Sequence, residues 1–170
     1  TPISSAGEFS MFLAVSPALP SRNLAEFLDH VAANPDKFNS GSSNSASELA
    51  MLQLLGTRSA KVVNARYKGD VQAMTDLVGG QILTGNMVAG DAVAHIRSGK
   101  LHALGVFAPQ RSPLLPEVPT MAEQGFDTGG NNGWMGIWAP AKLPKAELER
   151  FQAALKQVLA LPEVKDLLTT

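Results

Sequence analysis

The chain lacks cysteine altogether, carries almost no net charge and has no long apolar run. Its 170 residues include 14 basic and 15 acidic side chains, a formal charge of −1. The missing cysteines exclude a disulfide scaffold, a thiol nucleophile and thiolate metal sites. The basic residues are scattered, which argues against a nucleic-acid partner. No apolar run approaches the ~18 residues of a membrane span, and a hydrophobic content of 45% is enough for a packed core.

Short apolar runs alternate with helical periodicity, which is typical of an α/β fold. We therefore predict a mainly parallel sheet flanked by helices. Phe12 to Val15 is apolar on both faces, which indicates a buried parallel strand. Further strands are predicted at 61–66, 81–83, 101–107 and 134–139. Helices are predicted at 23–33, 46–55, 70–78, 90–97 and 145–159, with a last one beginning at Pro162.

Helix starts are marked by polar capping residues. Thr120 and Glu123 have the spacing of a capping box before a short helix that ends at Gly125. Ser45 and Glu48 have the same spacing, and Asp70 is expected to cap the helix that follows it. The proline-rich stretch 108–119 is expected to be an extended loop, with a turn at Asn132-Gly133.

The polar tract 39–47 is the strongest candidate for a binding site. It is expected to be a loop that leads into a helix N-terminus, where free backbone N–H groups and the helix dipole favour an anion. The candidate ligand-binding residues are Ser40, Gly41, Ser42, Ser43, Asn44 and Ser45. The alternative is an ordinary solvated loop with a well-capped helix. Glu48 would compete with an anionic ligand for the same N–H groups.

A second strand-to-helix connection adds Tyr67, Lys68 and Gly69 as candidates, because Lys68 offers a cation. Asn86 follows the predicted strand 81–83, at the strand end where open α/β sheets place ligands. The alternatives are a solvated Lys68 and a turn at Asn86.

Catalytic and metal-binding patterns are missing from the sequence. His30, His95 and His102 lie far apart, and the Gly-x-Ser-x-Gly motif of hydrolases is absent. We therefore expect no enzyme activity, no metal and no cofactor. Trp134 and Trp138, on one predicted strand, are interpreted as core residues rather than a ligand platform.

Several segments together resemble the solute receptors of tripartite tricarboxylate transporters, also called Bug-type receptors. These segments are 40–49, 66–69, 76–81, 95–101, 111–113, 116–120 with Glu123 and Gly125, and 134–140. The Val-Pro-Thr-x-x-Glu-x-Gly and Gly-Gly-Gln pieces are the most specific of them.

The resemblance implies a periplasmic, two-lobed, non-enzymatic protein that closes on small carboxylates and delivers them to a membrane permease. It further implies an incoming hinge segment at 1–9, a ligand-gripping second lobe at 10–131, and a returning segment at 132–170 that belongs to the first lobe. The chain would then be part of a longer receptor, and its exposed face could support self-association.

The loop departs from the family pattern at several positions. Phe38 stands where the family usually has Tyr, Ser42 and Asn44 stand where it has Gly, Glu48 replaces a His, and Leu83 replaces an acidic residue. The alternative function is therefore a receptor-derived interaction or sensing module with a degraded ligand site.

Overall fold

The computed structural model describes residues 1–34, 37–56, 62–127 and 133–169. Its strands are β1 (Pro2–Phe9), β2 (Met11–Val15), β3 (Asn39–Ser42), β4 (Val63–Arg66), β5 (Thr84–Val88), β6 (His102–Phe107) and β7 (Gly133–Trp138). Its α-helices are α1 (Leu24–Ala33), α2 (Ser45–Leu55), α3 (Asp70–Val78), α4 (Ala89–Arg97), α5 (Lys145–Ala160) and α6 (Pro162–Thr169). None of the helices in these ranges is long and apolar enough to cross a membrane.

The chain divides into two compact units. A central unit spans Ser10–Gly133, and a terminal unit combines Thr1–Phe9 with Trp134–Thr170. The central unit contains a five-stranded sheet in the order β4-β3-β5-β2-β6, and apolar residues of α3 and α4 join strand residues such as Phe12 and Met87 in its core.

The strand β2 is buried along its whole length, as predicted. The expectation that it is parallel is wrong, because it runs antiparallel to both β5 and β6. Burial on both faces indicates a central strand and does not fix its direction. The other two pairs, β3 with β4 and β3 with β5, are parallel.

The polar tract begins as a strand rather than as a loop. Asn39–Ser42 forms β3 between β4 and β5, with Ser40, Gly41 and Ser42 buried. Asn64 on β4 satisfies both serines: it accepts from Ser40 Oγ at 3.2 Å and donates to Ser42 Oγ at 2.9 Å. Backbone pairing on both sides and this shared amide outweigh the low strand propensity of the segment.

The predicted strand at 81–83 is also wrong. The backbone N–H groups of Gln81 and Ile82 both donate to Asp76 O, which closes the end of α3 after Gly80. Gly80 has φ 73°, a left-handed conformation that favours glycine. The strand begins only at Thr84, so Asn86 lies in the middle of β5.

The other predicted elements agree with the sequence to within a few residues, and the cap of α3 is shifted by one residue. Gly69 is the N-cap of α3, and Asp70 is its first residue. The capping box of Thr120 and Glu123 is confirmed, at 3.0 Å for Glu123 N to Thr120 Oγ1 and 2.7 Å for Thr120 N to Glu123 Oε2. The predicted turn at Asn132 lies outside the described residues.

The terminal unit pairs β1 with β7, although the sequence did not predict a strand at the N-terminus. Gln152 on α5 donates to the Ile3 carbonyl at 3.0 Å and so fastens the helix to β1. The interpretation of Trp134 and Trp138 as core is wrong: each is 58% exposed, with ring centroids 5.4 Å apart. The two rings meet above Gly136, where a Cβ atom would collide with them.

Candidate functional site

The parallel pairing of β3 with β4 brings two strand ends together at one edge of the sheet. Ser42 and Arg66 are register partners at the last position of each strand. The Tyr67 N–H donates to the Ser42 carbonyl at 2.9 Å and extends the pairing by one residue. α2 begins three residues after Ser42. Ligands of open α/β sheets bind at this kind of edge, beyond the carboxyl ends of the strands.

A cavity of about 190 Å³ lies at this edge. We call it the serine corner, and it is lined by Ser42, Ser43, Asn44, Ser45, Glu48, Arg66 and Tyr67. Four of the predicted loop residues and Tyr67 are therefore brought together. Glu48 and Arg66 were not among the predicted binding residues.

The N-terminus of α2 is capped one residue earlier than predicted. Asn44 is the N-cap, and its Oδ1 accepts from Ser47 N at 2.9 Å, while Ser47 returns a contact to the Asn44 backbone N–H. The predicted box of Ser45 and Glu48 is wrong, because Asn44 is an equally good acceptor and already has the extended φ of −152°. Within the described part of the chain, the backbone N–H groups of Ser45 and Ala46 have no hydrogen-bond partner.

Glu48 takes no part in the cap, and its carboxylate is free to form an ion pair with Arg66. Arg66 Nη2 lies 2.8 Å from Glu48 Oε1, and the side chains are 77% and 25% exposed. Arg66 rather than Lys68 is thus the cation that lines the cavity, and Lys68 lies outside the lining. Sequence reasoning missed Arg66 because its position depends on the register of β3, which was interpreted as a loop.

The Tyr67 ring forms one wall, and its hydroxyl donates to Asp76 Oδ2 at 2.7 Å. Burial, followed by this hydrogen bond, raises the pKa of Tyr67 to about 12. The phenol therefore stays protonated at neutral pH and contributes no charge to the cavity. Ser43 Oγ donates to the Asp70 carboxylate at the start of α3, just after Gly69.

Five predicted residues do not line the cavity: Lys68 and Gly69, which follow Tyr67 along the chain, and three residues buried in the sheet. Ser40 and Gly41 are buried in β3, where a Cβ atom on Gly41 would collide with Ile82 and press against the Tyr67 ring. Asn86 is buried in β5, and its Nδ2 donates to the Ser47 carbonyl at 3.0 Å. It holds the first turn of α2 against the sheet.

Hydroxyl groups, the free N–H group of Ser45 and a guanidinium lie around one small cavity, and the free N–H group of Ala46 is the next along α2. The Ser43 hydroxyl already donates to Asp70, so the hydroxyls of Ser42 and Ser45, the N–H groups and the guanidinium are the donors left for an anion, and Glu48 is the opposing charge. No group of three or more His, Asp or Glu side chains that could hold a metal is found among the described residues.

The family model for the tripartite tricarboxylate transporter family receptor matches residues 1–170. The chain belongs to this family. The resemblance found in the sequence motifs is thus confirmed. Protein BugT of Bordetella pertussis is 32% identical over 143 residues, which cover 82% of this chain and 43% of that protein. The chain spans about half the length of the curated relatives it matches.

Solved structures of the receptor family superpose closely on this chain. The periplasmic binding protein BugD has a TM-score of 0.88 and 29% identity, over 99% of this chain and 57% of that one. MatC from Rhodopseudomonas palustris, solved with bound malate, has a TM-score of 0.86 and 27% identity, over 97% and 57%. The chain therefore has the α/β fold of periplasmic solute-binding proteins, as the resemblance implied.

Proposed function

We propose that the chain is part of a non-enzymatic, periplasmic solute receptor that captures a small carboxylate at the serine corner for the permease subunits of a tripartite transporter. Membership of the receptor family supports this proposal. The bound malate of MatC, a relative with the same fold, supports a carboxylate as the ligand.

The observation that favours the serine corner as the site is its set of donors. The free N–H groups of Ser45 and Ala46 lie at a helix N-terminus, whose dipole attracts an anion. Arg66 adds a guanidinium group, and Ser42 and Ser45 add hydroxyls. A carboxylate bound here would receive both backbone and charge-assisted hydrogen bonds, which are the stronger kind.

Residues 10–131, which make up nearly all of the central unit, would act as one lobe, with 1–9 as an incoming hinge and 132–170 as the segment returning to the other lobe. A ligand that contacts both lobes would select the closed state. Because the chain spans about half of its relatives, we expect the chain alone to bind such a ligand weakly.

The test is isothermal titration calorimetry of the full-length receptor with mono-, di- and tricarboxylates. Arg66→Gln removes a charged donor and should weaken binding of the best carboxylate about tenfold. Arg111→Gln is the matched control: it breaks an arginine–glutamate pair with Glu123, outside the serine corner, and should leave the affinity unchanged. No binding heat with any carboxylate would contradict the proposal.

One observation favours the second candidate, an interaction or sensing module with a lost ligand site. Arg66 is already paired with Glu48, so its charge is partly neutralised. If the site is merely degraded, the double variant Glu48→His, Asn44→Gly should gain carboxylate affinity that the unaltered receptor lacks. A receptor that binds carboxylates without these changes would exclude this candidate.

A further inference from the structure

The charged side chains of the serine corner are one positive and one negative. Arg66 is the cation and Glu48 the anion among the described residues that line it. Their sum is zero, although the ligand proposed above is negatively charged. A cavity lined by one positive and one negative side chain favours a ligand that carries one charge of each sign, since each ligand charge then lies beside an opposite one.

The ion pair leaves binding capacity on both partners. The contact at 2.8 Å uses Arg66 Nη2 and Glu48 Oε1. Within the described ranges, Glu48 Oε2 accepts no hydrogen bond, and the remaining guanidinium N–H groups of Arg66 donate none. Glu48 is the more buried of the two and Arg66 is largely exposed, so we expect the Glu48 carboxylate to keep its position when a ligand binds.

The groups behind the cavity wall add further negative charge. Ser43 contacts the Asp70 carboxylate, and Tyr67 is hydrogen bonded to Asp76. The neutral phenol offsets neither of these charges, and Lys68 lies outside the lining. A second or third carboxylate on a ligand would therefore meet Glu48 without any counter-charge beyond Arg66.

We propose that Glu48 is a specificity-determining residue that makes the serine corner select a carboxylate ligand bearing an ammonium group, of the amino-acid type. The ligand carboxylate accepts from Arg66, the hydroxyls of Ser42 and Ser45 and the free N–H groups at the start of α2. The ammonium group donates to Glu48 Oε2. This inference rests on the proposed function, because it assumes that the serine corner binds the solute.

The experiment compares succinate, L-malate and L-aspartate, which share one four-carbon diacid skeleton and differ at C2 by hydrogen, hydroxyl and ammonium. Calorimetry on the full-length receptor should give aspartate an affinity about tenfold above that of succinate. Glu48→Gln preserves shape and removes the charge, so it should bring the two affinities to within about twofold of each other. Glu123→Gln removes a carboxylate from the other arginine–glutamate pair and should leave the ratio unchanged.

The outcomes separate the two proposals. Equal or tighter binding of succinate or malate by the unaltered receptor overturns the role of Glu48 and leaves carboxylate binding intact. The role of Glu48 is likewise overturned if Glu48→Gln binds but keeps the original ratio. If none of the three ligands binds to the unaltered receptor, the role of Glu48 is overturned, and the titrations with the other mono-, di- and tricarboxylates decide whether carboxylate binding fails as well. The comparison among ligands on the unaltered receptor does not depend on whether a variant folds.

Discussion

Two helix N-termini in the central unit each combine a reciprocal cap with an arginine–glutamate pair, but only one of them keeps N–H groups available for a ligand. The serine corner and the proline corner, residues 111–125, each have a reciprocal cap and an arginine–glutamate pair. At the proline corner, Glu123 fills both roles: it accepts from Thr120 N and, at 2.9 and 3.1 Å, from Arg111 Nε. At the serine corner the roles are divided, because Asn44 and Ser47 form the cap and Glu48 binds Arg66.

The difference shows that the capping residue decides whether the N–H groups of a helix N-terminus are occupied by the protein's own carboxylate or available to a ligand. A carboxylate inside the capping box places its own negative charge on the helix N–H groups and leaves little for a ligand. A neutral cap satisfies one N–H group and leaves the field of the helix available. In our proposal, the serine corner can bind a ligand because the neutral Asn44 caps α2 and Glu48 takes no part in the cap.

The largest change in the free energy of unfolding is expected from substitutions of the glycines that lie beneath the two corners. Gly41 lies under the serine corner against Ile82 and the Tyr67 ring, and Gly105 lies under the proline corner against Met121 and Gln124. Gly41→Ala should lower the free energy of unfolding by about 2 kcal/mol, because the added Cβ atom overpacks the buried Ile82 side chain and the half-buried Tyr67 ring. Gly105→Ala should cost less, since Met and Gln side chains can adapt.

Urea denaturation of both variants measures this difference. Gly90→Ala on α4 is the control, because a Cβ atom there meets nothing within 4 Å. This variant should raise stability by about 0.5 kcal/mol through its helix propensity. A loss of stability for Gly41→Ala no greater than that for Gly105→Ala would contradict the predicted difference in packing between the two corners.

The next effect concerns the caps themselves. Asn44→Ala removes the acceptor for Ser47 N and should lower the free energy of unfolding by about 1 kcal/mol, whereas Asn44→Gly should lower it by only a few tenths. Thr120→Ala should matter less than Asn44→Ala, because its 3-10 helix has three residues and Arg111 still holds Glu123. Urea midpoints rank the three variants, and a greater loss for Thr120→Ala would reverse the comparison.

Local signals in the sequence predicted the proline corner and only part of the serine corner. The Thr120 and Glu123 box, like the helix at 145–159, depends on spacing within a few turns of one segment, and both are found. The strand β3 depends on neighbours far along the chain, so its Asn-Ser-Gly-Ser composition pointed to a loop. Without this strand, the sequence analysis could not predict the register that places Arg66 beside Ser42, and so it missed the cation of the site.

Acid should affect the proline corner through Glu123. The hydrogen bond from Arg111, followed by that from Thr120 N, lowers the pKa of Glu123 from its ordinary value of 4.5. A carboxyl group whose folded pKa is depressed stabilises the fold above its unfolded pKa, and this contribution is lost as the pH falls through the folded pKa. Glu123→Gln should therefore lower the urea midpoint at neutral pH, and its deficit should shrink below about pH 4.

Arg111→Gln tests the cause of this pH dependence. It removes the main hydrogen bond that depresses the pKa of Glu123, so adding Glu123→Gln to it should produce a smaller and flatter deficit. Both variants keep a side chain that can hydrogen bond, which limits the change to charge. A deficit that stays constant from neutral to acid pH would mean that the Glu123 charge does not close this helix start, and the contrast with the serine corner would then depend on packing alone.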